Sequence, residues 1–359
     1  MPPLQNVRVI DASNFVSGPM AALALGDLGA EVVKVEPPRG DPFRRVGVQH
    51  SGVSMTFTAC NFAKTSVRID LGSEEGRGEL DSLLKNADIL VTNWRPGVDA
   101  ELGFDPASVR LRHPQLIWVR VSGYGQDGPG SSRPAFDALL QARSGYALAR
   151  DGQPPALANG WLADKVSAML AAQAALAALH QRNVTGIGTV VDVAMLDAMA
   201  YFNGPDVLAG SLIVGETHPD VMHYINAARP LATADGWIVI SPVSGQQLKS
   251  LVYAVAHAEW AQTLRAITDP AELIDAMNRL LETVLPARPT AEWESIFAVA
   301  DVPASAVLSI SEHLSDEFVA HNKTYLEFDD PVMGRIRHCR HPARFDSGPG
   351  EWPSSSTQI

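Results

Sequence analysis

The chain is poor in cysteine, short of positive charge and without a long apolar run. Two cysteines, Cys60 and Cys339, in 359 residues provide no disulfide framework, and such usage fits a reducing, cytoplasmic compartment. Lys and Arg number 28 against 40 Asp and Glu, a formal net charge of −12. That balance argues against a nucleic-acid binder and against adhesion to anionic membranes. An anionic ligand would have to be met by arginines gathered locally. The N-terminal MPPLQNVRVIDAS has no basic stretch followed by an apolar one, so no signal peptide is expected. The most apolar stretch, 168–179, is alanine-rich, closely flanked by charge and shorter than a bilayer span. No internal repeat or low-complexity tract is present.

What remains is a well-packed globule, 46% apolar and 19% charged, too long for one ordinary core. Short apolar strands are expected at 7–11 (VRVID), 31–35 (EVVKV), 66–71, 87–92, 116–121 and 190–193. Helices are expected between them at 20–28 and 73–86, with Gly29 and Ser73 as punctuation. Alternation of strand and helix implies an α/β fold with a parallel sheet, its ligand lying over the C-terminal strand ends. The loops at that edge are 12–19, 37–45 (PPRGDPFRR), 93–97 (NWRPG) and 122–129 (SGYGQDGP). The first of these lacks the G-x-G-x-x-G turn, so NAD is not the expected cofactor.

After residue 200 the texture changes. A linker is expected over 201–228, a smaller α+β domain over 229–325 and a return to the large domain over 326–359, the large domain itself being 1–200. A hairpin should turn at Asp235-Gly236, helices should follow at 246–256, 269–284 and 290–299, and short strands should fill 304–345. Residues 346–359 are polar and expected to fray. His338, Cys339 and His341 lie close together, but H-C-x-H lacks a second ligand pair, and no metal is assigned.

The chemistry concentrates in 161–195. Asp164 stands at the mouth of a long Ala/Leu-rich helix that ends in a Thr185-Gly186-x-Gly188 turn before a strand. Asp is a preferred N-cap residue, so capping is the plain reading. A carboxylate facing the free N–H groups of a first turn should also stay ionised and available.

The ordered set of segments resembles the family III CoA-transferases, the group of formyl-CoA and carnitine CoA-transferases that includes the α-methylacyl-CoA racemases. It comprises VRVIDAS, SGPMAALALGDLGAEVVKVEPPRGDPFR, NFAKTSVRIDL, ADILVTNWRPG, VSGYGQDGP, ADKVSAM, TGIGTVVDVAMLDA and the closing HPARF. The resemblance implies a Rossmann-like large domain, a smaller α+β domain and an interlocked homodimer. It implies coenzyme A, carried as acyl-CoA, and a carboxylic acid as substrates, with no metal. It implies that Asp164 is the catalytic carboxylate, forming an aspartyl mixed anhydride and then an aspartyl-CoA thioester. It places Asn14, Phe15 and Val16 against the thiol end of CoA, Asn93 near the nucleotide, and Arg39, Arg44 and Arg95 toward its phosphates. Glycines of the 122–129 loop, Gly123 among them, are candidate oxyanion donors. Racemases of the family carry a His before an Asp where this chain has Phe136 and Asp137. A phenyl ring accepts no proton, so the two-base mechanism lacks its base there. The aromatic and acidic pair fits the transferases, with Asp137 a second catalytic candidate and Phe136 a substrate contact. A racemase would need another base, for which His223 is the candidate. An idle CoA-binding subunit would have little reason to keep Asp164. Trp161 is large enough to narrow the acyl site.

Overall fold

The computed structural model describes residues 1–147, 154–218 and 228–346. The expected frayed tail lies outside them from residue 347 onward. The chain divides into two compact units: Met1–Asn203 with His321–Ile359, and Gly204–Ala320.

The first unit is built on β1 (Arg8–Asp11), β2 (Glu31–Glu36), β5 (Thr65–Arg68), β6 (Ile89–Thr92), β7 (Ile117–Ser122) and β8 (Val190–Ala194). A small hairpin of β3 (Gln49–His50) and β4 (Val53–Ser54) stands apart. The six strands are all parallel, in the order β5-β2-β1-β6-β7-β8. Val9 pairs with Val32 on one side and Ile89 on the other. Val9, Ile10, Ile89, Leu90, Ile117 and Val119 are fully buried, because a sheet covered on both faces offers no wet side. One face holds α3 (Glu74–Leu84) and, after the short α4 (Val98–Glu101), α5 (Pro106–Arg112); α3 and α5 pack Leu80, Leu84 and Val109 against Trp118. The other holds α1 (Ser17–Asp27), α7 (Leu162–Thr185) and α8 (Met195–Asn203). Strand order reverses between β1 and β6, which opens a crevice at their C-terminal ends.

Helix α1 starts three residues before the expected position and takes in Gly18 and Pro19. Proline is tolerated in a first turn, where its missing N–H has no partner to lose. Helix α7 is longer than its apolar stretch suggested. At 24 residues it is long and apolar enough to cross a bilayer, but half of that window is buried in the fold. Ala168, Ala171, Ala172, Ala175 and Ala178 form its buried stripe, and their small side chains let α1 approach closely. Gly186 ends it at φ +74°, its N–H donating to Arg182 O at 2.7 Å.

In the second unit, β9 (Leu231–Ala232), β10 (Trp237–Ile240) and β11 (Ala304–Ala306) pair antiparallel in the order β11-β10-β9. The turn at Asp235-Gly236 forms as expected, Thr233 N–H donating to Gly236 O. Leu231, Ile238, Leu281, Trp293 and Phe297 make the core, with helices α9 (Gly245–Ala254), α10 (Trp260–Arg265), α11 (Pro270–Val284) and α12 (Thr290–Val299). Where only strands were expected after residue 304, two short helices intervene, α13 (Ile310–Ser315) and α14 (Glu317–Asn322). The reason is capping: Ser309 and Glu312 form a capping box, and Asp316 accepts the N–H groups of Phe318 and Val319. The chain then makes a hairpin of β12 (Tyr325–Asp330) and β13 (Gly334–Cys339). This hairpin packs on the end of helix α2 (Met55–Asn61): His338 stacks on Phe62 at 4.2 Å and faces Asp27 at 3.4 Å, a structural role.

Under the crevice lies a cluster of charge buried from solvent. Asp11, Lys34, Glu36, Asp41 and Lys64 are each at most 1% exposed. Lys64 Nζ donates to Asp11 Oδ2 at 2.8 Å, Pro19 O at 2.7 Å and Asn61 Oδ1 at 2.9 Å, using all three protons. Lys34 Nζ donates to Ser13 O at 2.9 Å and lies 3.1 Å from Asp41 and 3.8 Å from Asp11. Burial pushes Asp11 up, but Lys34 and Lys64 outweigh it and hold the carboxyl below its usual range. Burial takes Lys64 down to about 8. Removing one partner from such a cluster strands the others. Lys64→Met is therefore expected to lower stability by about 3–5 kcal/mol in urea unfolding, and a loss below about 1 kcal/mol would show that the cluster is not structural.

Candidate active site

The charge cluster shapes the loop that follows β1. Asp11 accepts the Ser13 N–H at 3.1 Å, and Lys34 takes the Ser13 carbonyl. Asn93, just past β6, accepts the Asn14 N–H at 2.9 Å and donates Nδ2 to the Asn14 carbonyl at 2.7 Å. Asp41 Oδ1 accepts from Phe43 N at 2.9 Å and Phe15 N at 3.3 Å. Phe15 sits at φ +63°, a left-handed conformation that an aromatic residue keeps only when its neighbours hold it there.

Above this loop is a cavity of about 790 Å³. Asn14, Phe15, Val16, Asn93, Arg95, Gly123, Phe136, Asp137 and Asp164 all line it, with Ser17, Phe43, Ser122, Arg133, Gln141 and Trp161. Nine of the eleven residues singled out from sequence thus meet in one place. The two exceptions are arginines. Arg39 is exposed and does not line the cavity. Arg44 is committed elsewhere: its guanidinium grips Glu36 with two bonds of 2.6 Å and lies 3.9 Å from the centre of the Phe57 ring. Lys64, just before β5, is consumed by the charge cluster. Arg95 and Arg133 line the cavity, and among the described residues no ion pair engages either. Sequence reasoning passed over Arg133, which no motif marks. Gly123 is there for space: a Cβ on it would come within 2.0 Å of the Ala135 Cβ.

Four rings wall the cavity. Phe43 meets Trp161 edge-on at 5.4 Å, Phe15 lies 6.0 Å from Phe43, and Phe136 meets Phe15 edge-on at 6.1 Å. Phe136 is 58% exposed, so it is no core aromatic. Among the described residues no histidine lines the cavity. His223 lies outside the described residues.

Asp164 does not cap its own helix. It is the third residue of α7, and the N-cap residue, Trp161, makes no side-chain cap bond. The cap comes from α6 (Asp137–Arg143). Asp137 Oδ1 accepts the N–H of Ala163 at 2.6 Å and of Asp164 at 3.2 Å. Its Oδ2 accepts Gln141 Nε2 at 2.7 Å, and Gln141 Oε1 accepts the Ala158 N–H at 2.9 Å. Gln141 was missed from sequence, although its place four residues after Asp137 on one helix was the available signal.

The basicity of Asp164 is not that of an ordinary carboxylate. Burial raises its pKa, the Asp137 carboxylate raises it further, and Ser17 pulls it back through its hydroxyl and N–H; the balance is about 6. The group is ionised at neutral pH but more basic than an ordinary carboxylate. Cys60 nearby is pushed to about 11, chiefly by burial, and is no thiolate nucleophile.

The site is a crevice at the switch point of a doubly wound α/β unit, lined by a carboxylate of raised basicity. The family model for CoA-transferase family III matches residues 4–356. The chain belongs to that family and is a CoA-transferase by that membership. It is 30% identical over 371 residues to the probable fatty acyl-CoA transferase Rv3272 of Mycobacterium tuberculosis, covering 96% of this chain and 92% of that protein. It is 30% identical over 363 residues to the succinyl-CoA–D-citramalate CoA-transferase of Chloroflexus aurantiacus, covering 97% and 89%. The orthorhombic crystal structure of Rv3272 superposes with a TM-score of 0.84 at 28% identity, covering 99% of this chain and 97% of that one.

Two outcomes follow from the elevated pKa. Reaction through ionised Asp164 should fall as pH drops through about 6, read as an acid limb in kcat. For stability, the folded-state value of about 6 lies above the ordinary 3.8. The folded state therefore loses stability as pH rises between the two values. Asp164→Asn should be more stable than the parent at pH 7.5, by on the order of 1–2 kcal/mol. The difference should vanish below about pH 4; equal melting curves at pH 7.5 would contradict it.

Proposed function

We propose that the protein transfers CoA from an acyl-CoA donor to a small carboxylic acid, dicarboxylic acids included, with Asp164 as nucleophile. The observation that carries this is Asp164 itself: a half-buried carboxylate of raised basicity lining an aromatic-walled cavity. An Asp164 oxygen attacks the thioester carbonyl, and the CoA thiolate leaves a mixed anhydride. The thiolate then attacks the Asp164 carboxyl carbon, expelling the donor's acid and forming an aspartyl-CoA thioester. The acceptor carboxylate attacks that thioester, releases thiolate and forms a second anhydride. The thiolate takes the acceptor acyl group and frees Asp164. Each step exchanges one carboxylate or thiolate for another, so no net proton transfer is required.

In this reading Asn14, Phe15 and Val16 face the thiol end, Asn93 lies near the nucleotide, and Arg95 meets a phosphate. Arg133 joins it as a second cation free to pair. Arg44 is left out because Glu36 occupies it. Arg39 would serve a phosphate that reaches beyond the cavity. Asp137 acts on Asp164 by holding the first turn of α7 and by raising its pKa. The names of relatives divide between a fatty acyl and a D-citramalate substrate. The proposed acceptor is a small acid that shares the ring-walled cavity with Asp164. The proposed assembly is a cytoplasmic, interlocked homodimer.

The test is mass spectrometry of the protein after incubation with a panel of acyl-CoAs in deuterated water. A CoA adduct on the Asp164 peptide, discharged by an acceptor acid, is the expected result. Asp164→Ala should form no adduct and lose at least about 10⁴-fold in transfer rate while keeping its fold. Deuterium at the substrate α-carbon without an adduct would mark a racemase instead.

A further inference from the structure

Helix α6 carries two buried polar side chains on one face. Asp137 is its first residue and Gln141 stands one turn later; they are 7% and 1% exposed. Gln141 uses both ends of its amide. Nε2 donates to Asp137 Oδ2 at 2.7 Å and reaches the Gly160 carbonyl at 3.4 Å, and Oε1 accepts the Ala158 N–H at 2.9 Å. These partners fix its orientation: a backbone N–H only donates, so Oε1 faces Ala158 and the NH₂ group faces Asp137.

The partners of Gln141 lead to the start of α7 by two routes. Asp137 Oδ1 accepts the N–H groups of Ala163 at 2.6 Å and Asp164 at 3.2 Å. Ala158 and Gly160 belong to the segment that enters α7, and with Leu157 and Trp161 they line the cavity. The side chain of Trp161 caps nothing, and the backbone bonds at the entry are local, Leu162 N to Gly160 O at 3.2 Å and Lys165 N to Trp161 O at 3.1 Å. Such a helix start leaves its first N–H groups to an outside acceptor. Here the acceptor is Asp137, and Gln141 is the donor that sets which way Asp137 turns.

We propose that Gln141 is a positioning residue of this transferase: its amide ties Asp137 to the 158–160 segment and so fixes the first turn of α7, which carries Asp164 into the cavity. The inference rests on Asp164 being the nucleophile. Gln141 itself lines the cavity, but both ends of its amide are taken up by protein, so it acts through Asp137 and not on substrate. Asp164 has to meet a thioester carbonyl and then offer its own carboxyl carbon to the CoA sulfur, and both steps need the same stretch of backbone held still. A displacement of about 1 Å at such a group costs about 10²-fold in rate.

The test reverses one hydrogen bond. Gln141→Glu sets an acceptor against Asp137 Oδ2, and Asp137→Asn sets an NH₂ group against a donor in either orientation, so each single variant breaks the network. The double variant Asp137→Asn/Gln141→Glu restores the bond with donor and acceptor exchanged and keeps acceptors for the Ala158, Ala163 and Asp164 amides. Gln141→Glu is expected to lose about 10²-fold in kcat and in the single-turnover rate of aspartyl-CoA formation, with the KM for acyl-CoA nearly unchanged. The double variant is expected to regain at least about tenfold of that loss. Regain in the double variant supports the proposal. A Gln141→Glu protein that melts lower but forms the adduct as fast as the parent overturns it, since that is the mark of a merely structural bond. A loss that lies wholly in KM, or a double variant no faster than either single variant, overturns it as well. If Gln141→Glu does not fold, the double variant is compared with Asp137→Asn, and the same outcomes decide. A parent protein that forms no adduct overturns the Asp164 reading, and this inference with it.

Discussion

The Lys64 ammonium is buried, and its three protons tie β1, α1 and α2 together through Asp11, Pro19 and Asn61. Lys34 extends the same cluster to Asp41 and the Ser13 carbonyl. In a low-dielectric interior each of these charges is tolerable only because the others are in place. The cost of that burial is returned as geometry. Asp41 holds the amides of Phe15 and Phe43, two of the four rings around the cavity, and thereby keeps Phe15 in a backbone conformation it would not adopt alone. The wall of the active site is thus an outgrowth of a charge cluster that does not line it.

A second constraint acts on the carboxylates. Two helix starts meet at the cavity, and neither is served by its own N-cap side chain. Asp137 serves α7, and Asp164, three residues into α7, faces the start of α1. This arrangement puts two carboxylates near each other in a partly dry site, and their repulsion together with burial makes Asp164 basic. A carboxylate with a value near 6 is a better nucleophile than one near 4 and still carries its charge at neutral pH. Asp137, which fixes the start of α7, therefore also tunes the basicity of Asp164.

Much of this could be read in the chain before any coordinates. The parallel strands showed as apolar runs because both sheet faces are buried, and the cavity residues showed because they lie in loops at one strand edge. What misled was the assumption that a charged residue at that edge faces ligand. Arg44 sits in such a loop, yet Glu36 claims it. The start of α1 was misplaced because Gly18-Pro19 reads as a loop when its place in a first turn is not known. Asp164 looked like a cap because the true cap, Asp137, lies 27 residues earlier.

The sequence by itself determined the α/β class and the family to which the chain belongs, and it singled out Asp164. These depend on periodicity and on ordered local motifs, which survive in one dimension. Only the tertiary structure decided which charges neutralise one another, which carboxylate caps which helix, and that Ser17 and Gln141 belong with the site. Those are contacts between residues far apart in the chain, and their energies depend on burial and on the distance to a partner. Neither quantity exists until the chain has folded.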